Sequence, residues 1–170
     1  MNMRKTMAFG MAAVALLAGV ARADSQALGL SVRVHKAQTS FPEYPYSDGD
    51  LSYMAAWEVS TDKALIQLGA DICPKFKDND AVDYAASPEL NLIFKDGVFR
   101  AGGGVLSTYE KGDTSQWMDV YWQFLAGVSF SLPAKLSVDL YAIYPFKDLS
   151  GLGDFTTKGI EYSAGLTYHF

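Results

Sequence analysis

The sequence predicts an all-β protein, an eight-stranded antiparallel up-and-down β-barrel. Three observations predict this fold. Eight segments alternate between apolar and polar residues with a period of two, which is the pattern of a strand with two different faces. The connections between the segments are alternately short and long, as in a chain that runs up and down a sheet. Eight strands of about ten residues suffice to close such a sheet into a barrel.

The eight segments follow one another without a linker or a domain boundary. The last one shows the pattern well, because Tyr162, Leu166 and Phe170 share one face while Glu161 and Ser163 share the other. One such segment arises easily by chance, but eight of them with charges confined to the polar face do not. In chain order the segments span residues 28–36, 51–59, 64–72, 89–94, 98–109, 117–130, 135–146 and 161–170.

The connections divide into two classes by length. Short turns are expected at residues 62–63, at residues 96–97, where Asp-Gly is a strong hairpin signal, and around Pro133. The other connections are rich in Gly, Pro, Ser and acidic residues, as loops are. These long loops span residues 37–50, 73–83, 110–116 and 147–157.

Two places depart from the regular pattern. Pro88 cannot donate a hydrogen bond to a strand ladder, so it predicts a bulge or the true start of the fourth strand. The run from Gly102 to Gly104 loses side chains in the fifth strand. We expect these glycines to make room for large neighbours such as Tyr121 or Tyr141.

Residues 1–23 predict a cleaved signal peptide, and residues 24–170 a single barrel domain. A basic start precedes an apolar stretch too short to span a bilayer comfortably, and Ala-Arg-Ala ends it at Ala23. Cleavage removes Arg4, Lys5 and Arg22, which leaves 11 basic residues against 19 acidic ones and a net charge of −8. That balance argues against nucleic acid as a partner. Cys73 is the single cysteine, so an internal disulfide is excluded.

The distribution of aromatic residues indicates on which side the apolar face lies. In a soluble lipocalin-like barrel the apolar face points inward around a ligand, whereas in a membrane barrel it points outward to lipid. Aromatic residues gather at both ends of the apolar face, and two such belts are typical of a bilayer. Those expected near the short turns are Phe94, Phe99, Phe130, Tyr168 and Phe170, and those expected near the long loops are Tyr53, Tyr109, Tyr144 and Phe146. We therefore predict a transmembrane barrel.

The final stretch, YSAGLTYHF, resembles the closing strand of bacterial outer-membrane β-barrels, which typically ends on an aromatic residue that the assembly machinery recognises. The strand number, short turns and longer loops are similar to those of the small OmpA/OmpX-type barrels, and the resemblance covers residues 24–170 as an architecture. It implies location in the cell outer membrane, contact with outer-membrane lipid and lipopolysaccharide, and barrel-assembly machinery as a partner during insertion. It also implies that Tyr168 and Phe170 form the assembly signal.

The polar face predicts an ion-pair network inside the barrel. A buried charge must be paired or hydrated, so we expect Arg33 and Arg100 each to be surrounded by acidic residues. The acidic residues outnumber the two arginines, which implies water or protonated carboxyl groups as well. The predicted network consists of Arg33, Glu58, Asp71, Glu89, Arg100, Asp119, Asp139 and Glu161.

The expected role is structural, or an interaction at the cell surface. An eight-stranded barrel is too narrow for a porin channel, and the resemblance implies envelope integrity, adhesion or ligand contact through the long loops. Phe41, Tyr44 and Tyr46 of the first long loop form the candidate partner patch, since prolines lower the entropic cost of ordering and tyrosines make good contacts. The alternative for these residues is a loop whose aromatic side chains only touch lipid headgroups.

An enzyme that modifies lipid A, similar to an outer-membrane deacylase, is the alternative function. His35, Glu161 and Ser163 share the polar face at one end of the first and last strands, which makes them the candidates for a nucleophilic triad. Their side chains are expected to point into the barrel, whereas a lipid substrate approaches from outside, and no oxyanion-stabilising pair can be identified. We therefore expect no enzymatic activity, no catalytic residues, no cofactor and no metal site.

Overall fold

The computed structural model of this chain describes residues 24–38, 41–79, 81–148 and 155–170. The predicted signal peptide, residues 1–23, lies outside the described residues. Among the residues that are described, no helix has the length and hydropathy needed to cross a membrane. The short 3-10 helix Thr157–Gly159 precedes the last strand. The strands are β1 (Ser25–Val34), β2 (Leu51–Ser60), β3 (Ala64–Cys73), β4 (Val82–Asp96), β5 (Phe99–Leu106), β6 (Tyr109–Gly112), β7 (Gln116–Trp117), β8 (Tyr121–Leu132), β9 (Leu136–Phe146) and β10 (Glu161–His169).

The strands form one closed antiparallel sheet. Each barrel strand pairs with its neighbour in the order β1, β2, β3, β4, β5, β8, β9 and β10, and β10 pairs back with β1. At the closure Leu30 of β1 lies opposite Leu166 of β10. Strand β6 continues β5 and pairs with β4, and β7 pairs with β6. The predicted fold, an eight-stranded antiparallel up-and-down barrel, is confirmed.

The barrel has an apolar outer surface and a polar interior. Leu30 is 69% exposed and Phe99 is 66% exposed, whereas Glu161, Asn91 and Ser52 are fully buried. A soluble barrel would have the reverse distribution, because it would bury its apolar face. The prediction that the apolar face points outward is confirmed, and the soluble lipocalin-like alternative is wrong.

The predicted aromatic belt is present at the short-turn end of the barrel but only in part at the long-loop end. At the short-turn end all five predicted residues are exposed: Phe94, Phe99, Phe130, Tyr168 and Phe170. At the long-loop end Tyr53 is exposed, but Tyr144 and Phe146 are buried. The Tyr144 ring packs on Phe155 from the last loop, with ring centroids 4.7 Å apart. Including Tyr144 and Phe146 in an exposed belt was therefore wrong, and loop residues are packed against the Tyr144 ring.

Strand β4 runs without interruption through Pro88, which lies opposite Ala70 of β3. The prediction of a bulge or strand start at Pro88 was wrong, and the register shift lies between Val82 and Tyr84. On its other side Pro88 lies opposite the break between β5 and β6, since pairing with β5 begins at Glu89. The ladder needs no donor there, which is why a proline is tolerated.

The glycine run in β5 allows a close approach of backbone rather than of tyrosine rings. A Cβ at Gly102 would collide with the carbonyl oxygen of Leu92 and lie 2.7 Å from the Cα of Ile93. The expectation that these glycines make room for Tyr121 or Tyr141 was therefore wrong. Room beside Tyr141 comes instead from Gly127, where an added Cβ would lie 2.7 Å from the tyrosine ring.

The sixth predicted segment, 117–130, is interrupted in the structure. Residues 118–120 separate β7 from β8, and Met118 packs against the aromatic cluster inside the barrel mouth instead of lying on the outer face. The fifth segment is interrupted in the same way at residues 107–108, where the Thr108 hydroxyl turns inward and is fully buried. Both breaks lie at the long-loop end, where inward side chains pack against residues of the loops.

Candidate functional site

Arg33 and Glu161 form the centre of the buried polar network. Arg33 projects inward from β1, and its Nε donates to Glu161 Oε2 on β10 at 2.6 Å. Its Nη1 lies 3.6 Å from Glu89 Oε2 on β4. All three side chains are buried, so each charge depends on the others for its stabilisation. One guanidinium therefore joins three strands across the barrel interior.

A belt of side-chain amides continues the network through the middle of the barrel. Asn91 Nδ2 donates to Gln67 Oε1 and to Glu89 Oε1, at 2.9 and 2.8 Å. Gln123 Nε2 donates to Asn91 Oδ1 at 2.8 Å, and Gln67 Nε2 donates to Glu58 Oε1 at 2.8 Å. Amides suit this position because each one supplies both a donor and an acceptor without adding charge.

His35 lies directly above this belt and has polar partners on both sides of its ring. Its Nδ1 is 3.2 Å from Glu161 Oε1 and 3.3 Å from the Tyr44 hydroxyl. Its Nε2 is 2.8 Å from Ser52 Oγ, and Ser52 in turn donates to Asp71 Oδ2 at 2.7 Å. The imidazole is 1% exposed. His35 therefore connects carboxylates on β3 and β10 at the barrel mouth.

Aromatic side chains of the first long loop plug this end of the barrel. Phe41, Tyr44 and Tyr46 are buried and pack with Phe76 of the second long loop and with Tyr121 of β8. The Tyr46 ring stacks on His35, with centroids 3.7 Å apart and planes inclined by 6°. We call Phe41, Tyr44, Tyr46 and Phe76 the plug. The plug covers the polar network from the long-loop side.

The plug is also hydrogen-bonded to the barrel wall. The Tyr44 hydroxyl donates to Glu161 Oε1 at 2.8 Å, and the Tyr46 hydroxyl is 2.8 Å from Ser87 Oγ. Burial, reinforced by the charge of Glu161, raises the pKa of Tyr44 well above its ordinary value. Burial likewise raises the pKa of Tyr46 well above its ordinary value. Both hydroxyl groups therefore keep their protons, and Tyr44 remains the donor to Glu161.

Backbone contacts fix the loop that carries the plug. The buried carboxylate of Asp50 accepts from Ser47 N at 2.8 Å and from Lys77 N at 2.7 Å, which ties the first loop to the second. At the outer rim Lys147 donates to Glu43 at 2.5 Å. This ion pair lowers the pKa of Glu43 and raises that of Lys147. The plug is thus held both from the interior and from the rim.

The structure divides the predicted ion-pair residues between separate places. Arg33, Asp71, Glu89 and Glu161 lie together at the mouth, and Glu58 is buried lower down, beside the amide belt. Asp139 lies near the short turns, where Thr167 Oγ1 donates to it at 2.7 Å. Asp119 is exposed beside the Glu43–Lys147 pair. The expectation of one network containing all eight residues was therefore too broad.

Arg100 lines the same small cavity as Glu58 and Asp139, but it forms no side-chain ion pair among the residues that the structure describes. In the part of the chain that the structure describes, its Nη1 donates to the carbonyl oxygens of Gly97 and Phe99, each at 2.8 Å. The residue is half-buried at the short-turn end. Its guanidinium therefore bonds to its own hairpin.

Phe41, Tyr44 and Tyr46 occupy a different place from the one the sequence predicted. All three are buried inside the barrel mouth rather than presented to a partner, since the barrel leaves room for them above the amide belt. The other candidate pair, Tyr168 and Phe170, is exposed on the outer surface at the short-turn end. Phe170 N also donates to Gln26 O at 3.0 Å, so the last residue remains bonded to β1. Their role as an assembly signal stays a prediction.

The structure contains a triad-like arrangement that sequence reasoning assigned to a different serine. Ser52, not Ser163, lies at hydrogen-bond distance from His35, and Glu161 contacts the other ring nitrogen. Ser52 lies on the same face as its neighbours on β1 and β3, which is the signal that would have identified it. Its hydroxyl is fully buried and donates to Asp71, and Tyr46 stacks on the histidine. Among the described residues this hydroxyl therefore has no exposed surface that a substrate could reach.

Space inside the barrel is small. A cavity of about 30 Å³ extends from Arg33 at the mouth down to Glu58 and Tyr141, and one of about 50 Å³ lies towards the short turns, beside Arg100 and His169. Either volume accommodates water, which needs at least about 10–15 Å³ of such space, but not a lipid or a nutrient. The arrangement is therefore suited to holding strands and loops together rather than to binding an organic molecule inside.

This architecture is also found in solved structures of other proteins. No protein-family model matches the sequence, and no curated protein matches it. Among solved structures, the crystal structure of Neisserial surface protein A (NspA) superposes with a TM-score of 0.62 at 15% identity, covering 85% of this chain and 97% of that one. This chain has the fold of the small OmpA/OmpX-type outer-membrane barrels. The Yersinia pestis outer membrane protein Ail, in a phospholipid bilayer nanodisc, matches less closely, with a TM-score of 0.46 at 10% identity, over 86% of this chain and 99% of that one.

Proposed function

We propose that this chain is an integral outer-membrane protein with a structural or surface-interaction role and no catalytic activity. The observation that carries the proposal is the reversed distribution of polarity. An apolar belt such as that of Leu30 and Leu166, more than half exposed, needs lipid to cover it. The interior is filled by a charged network under an aromatic plug, so the barrel provides a rigid support for its loops rather than a channel.

The surface available to a partner lies at the long-loop end, beyond the plug. There β4, β6 and β7 extend past the barrel wall as a short three-stranded sheet. Trp117 is 61% exposed on it, and Tyr84 is also exposed. Exposed aromatic residues supply contact area at a low entropic cost. We propose this extension as the partner-binding surface, in place of Phe41, Tyr44 and Tyr46, which the sequence suggested. Its contacts would serve envelope integrity, adhesion or ligand binding.

The partners proposed for the barrel follow from its outer surface. Outer-membrane lipid and lipopolysaccharide would cover the apolar belt, and barrel-assembly machinery would meet the exposed Tyr168 and Phe170 during insertion. Nucleic acid is not proposed, because the predicted mature chain carries a net charge of −8.

Membrane fractionation tests the proposed location. Cells expressing the protein are lysed, and the membranes are washed with alkaline carbonate and then extracted with detergent. We expect the protein in the carbonate-resistant outer-membrane fraction. On gels we expect faster migration without boiling than after boiling, since a closed barrel resists detergent until it is heated. A soluble periplasmic protein as fractionation control should appear in the wash, and recovery of this protein there would contradict the proposal.

A lipid A-modifying enzyme is the second candidate, because Ser52, His35 and Glu161 have the spacing of a nucleophilic triad. Mass spectrometry of lipid A from expressing cells distinguishes the two functions. Under the non-enzymatic proposal the spectrum matches that of cells with an empty vector. Loss of an acyl chain that is restored by both Ser52→Ala and His35→Ala, but not by Ser163→Ala, would establish the enzyme instead.

A further inference from the structure

The hydrogen bonds around His35 determine which of its ring nitrogens carry a proton. A neutral imidazole has one donor nitrogen and one acceptor nitrogen, whereas an imidazolium has two donors. A carboxylate accepts hydrogen bonds and cannot donate them. The protonation state of the buried ring can therefore be worked out from the partners on each side, provided that the protons of its hydroxyl neighbours are first assigned.

On the Nε2 side the proton of Ser52 is already used. Ser52 Oγ donates to Asp71 Oδ2 at 2.7 Å. In the described residues Asp71 Oδ1 is buried without a hydrogen-bond partner, so this hydroxyl is the donor that stabilises the Asp71 carboxylate. Ser52 Oγ can then only accept from His35 Nε2, which is 2.8 Å away. Nε2 is therefore a donor.

On the Nδ1 side both neighbours are also acceptors. Tyr44 donates its proton to Glu161 Oε1 at 2.8 Å, a short charge-assisted bond. Nδ1 lies 3.2 Å from that same carboxylate oxygen and 3.3 Å from the Tyr44 oxygen. An unprotonated Nδ1 would direct its lone pair at two oxygens that have no proton to offer. Nδ1 is therefore a donor too.

The charges around the ring favour the same state. Asp71 Oδ2 is 3.8 Å from Nε2, opposite the Glu161 contact on Nδ1. The Tyr46 ring is stacked 3.7 Å from the imidazole, a position in which an aromatic face attracts a cation. Arg33 opposes the positive charge, but its guanidinium is bonded to Glu161, which lies between the two. The groups facing His35 are Arg33 on β1, Ser52 on β2, Asp71 on β3, Glu161 on β10, and Tyr44 and Tyr46 of the plug.

We propose that His35 is a buried imidazolium, with both ring nitrogens protonated, and that it acts as the latch of the aromatic plug. It supplies a second cation beside Arg33 in a cluster that holds Asp71, Glu89 and Glu161. It also joins the plug to the wall, because Tyr46 stacks on its face and Tyr44 shares its carboxylate. Loss of the proton leaves Nδ1 repelling its two oxygen neighbours, and the plug loosens.

Nitrogen NMR of the ring tests the charge state. Isotope-labelled protein is purified folded in detergent, and long-range proton–nitrogen correlations are recorded at pH 7.5, with His169, the other histidine of the mature chain, in the same spectrum. We expect two equivalent, protonated nitrogens for His35. One protonated and one unprotonated nitrogen would overturn the proposal.

Two carboxamide variants test the cause of this charge state. In Asp71→Asn the new amide can donate to Ser52, which frees the serine proton for Nε2, so we expect the spectrum of a neutral ring. Asp139→Asn is the matched control at the other end of the barrel, and it should leave the His35 signals unchanged. An imidazolium spectrum that persists in Asp71→Asn would refute the assignment of donors.

Hydrogen exchange of the loop tests the latch. His35→Phe keeps a ring for Tyr46 to stack on but removes both donors. We expect amides of residues 41–50 to exchange about tenfold faster or more, the change expected from losing a hydrogen bond to a charged group. Tyr44→Phe, which removes a single hydroxyl, should act in the same direction and serves if His35→Phe folds poorly. His169→Phe is the control, and wild-type exchange in both test variants would overturn the latch.

Discussion

Arg33 and Glu161 are joined across the seam where β1 meets β10, with Arg33 Nε 2.6 Å from Glu161 Oε2. The two residues are 128 positions apart in the chain, so the contact exists only once the barrel has closed. The other oxygen of the same carboxylate contacts Tyr44 of the plug, His35, and the backbone N–H of Lys36. Barrel closure and plug docking thus depend on one buried carboxylate.

Replacing Arg33 by Met should destabilise the barrel by about 3–5 kcal/mol, the usual cost of removing one partner of a buried ion pair. Glu161 and Glu89 would remain buried with their charge uncompensated. Urea unfolding in lipid vesicles, followed by the shift in gel mobility, measures the effect. Arg100→Met is the matched control and should cost less than about 1 kcal/mol, because Arg100 bonds to carbonyl oxygens at the rim. Equal losses in the two variants would contradict the central role of Arg33.

Leu68→Arg should cost about 2–4 kcal/mol in a bilayer, since the substitution places a charge on the lipid face near mid-height. Leu68 lies on the outer face of β3 and is exposed. The same unfolding assay applies. Leu68→Phe is the control, because it changes size but keeps an apolar surface, and it should be close to wild type. A fully stable Leu68→Arg protein would show that lipid does not cover this face.

Gly102→Ala should prevent or strongly impair folding, whereas Gly103→Ala should be tolerated. At Gly102 the new methyl group collides with the backbone of β4, which cannot move without separating two paired strands. At Gly103, on the opposite face, the nearest atom to the new Cβ is the carbonyl oxygen of Gln123 at 3.3 Å, so a small adjustment suffices. The folded fraction on unboiled gels compares the two. Equal yields would mean that close strand approach is not what requires glycine.

Ala134→Gly should stabilise the barrel by about 0.5–1 kcal/mol, because a left-handed conformation is unfavourable for a residue with a Cβ. Ala134 has a φ of 63° in the turn between β8 and β9, and its side chain is exposed. Urea midpoints of the two proteins measure the difference. Ala134→Val serves as the opposite change at the same site and should lower stability. The reverse order of stabilities would rule out backbone strain at this turn.

Local pattern was enough to predict the wall of the barrel. In a strand, consecutive side chains point to opposite faces, so residues such as Leu30 and Leu166 show their side of the sheet through their immediate neighbours. The turn at Asp96-Gly97 is equally local, since Gly97 adopts the positive φ of 57° that favours glycine. The same alternation predicted that Arg33 and Glu161 point inward, because the aromatic belts indicated that the apolar face of each strand faces lipid.

The hydrogen-bond partners of the inward side chains could not be predicted, because they depend on how the closed barrel brings distant strands together. The alternation along a strand shows that a side chain points inward. It does not show which side chains of other strands lie next to it, because this depends on how distant strands pair. For that reason Ser52, rather than Ser163, contacts His35, and Arg100 bonds to its own hairpin instead of to acidic residues.

The position of the aromatic side chains in the first long loop depends on tertiary structure alone. A loop has no periodicity, so an aromatic residue in it is equally compatible with an exposed contact patch and with a buried one. Phe41, Tyr44 and Tyr46 are buried because the closed barrel leaves an opening above its amide belt, lined by Ser87, Tyr121 and other inward side chains. The sequence by itself determined the strands and the side that faces lipid, since both follow from neighbouring residues. Only the tertiary structure decided what fills the interior, because those contacts join residues that meet once the first strand has paired with the last.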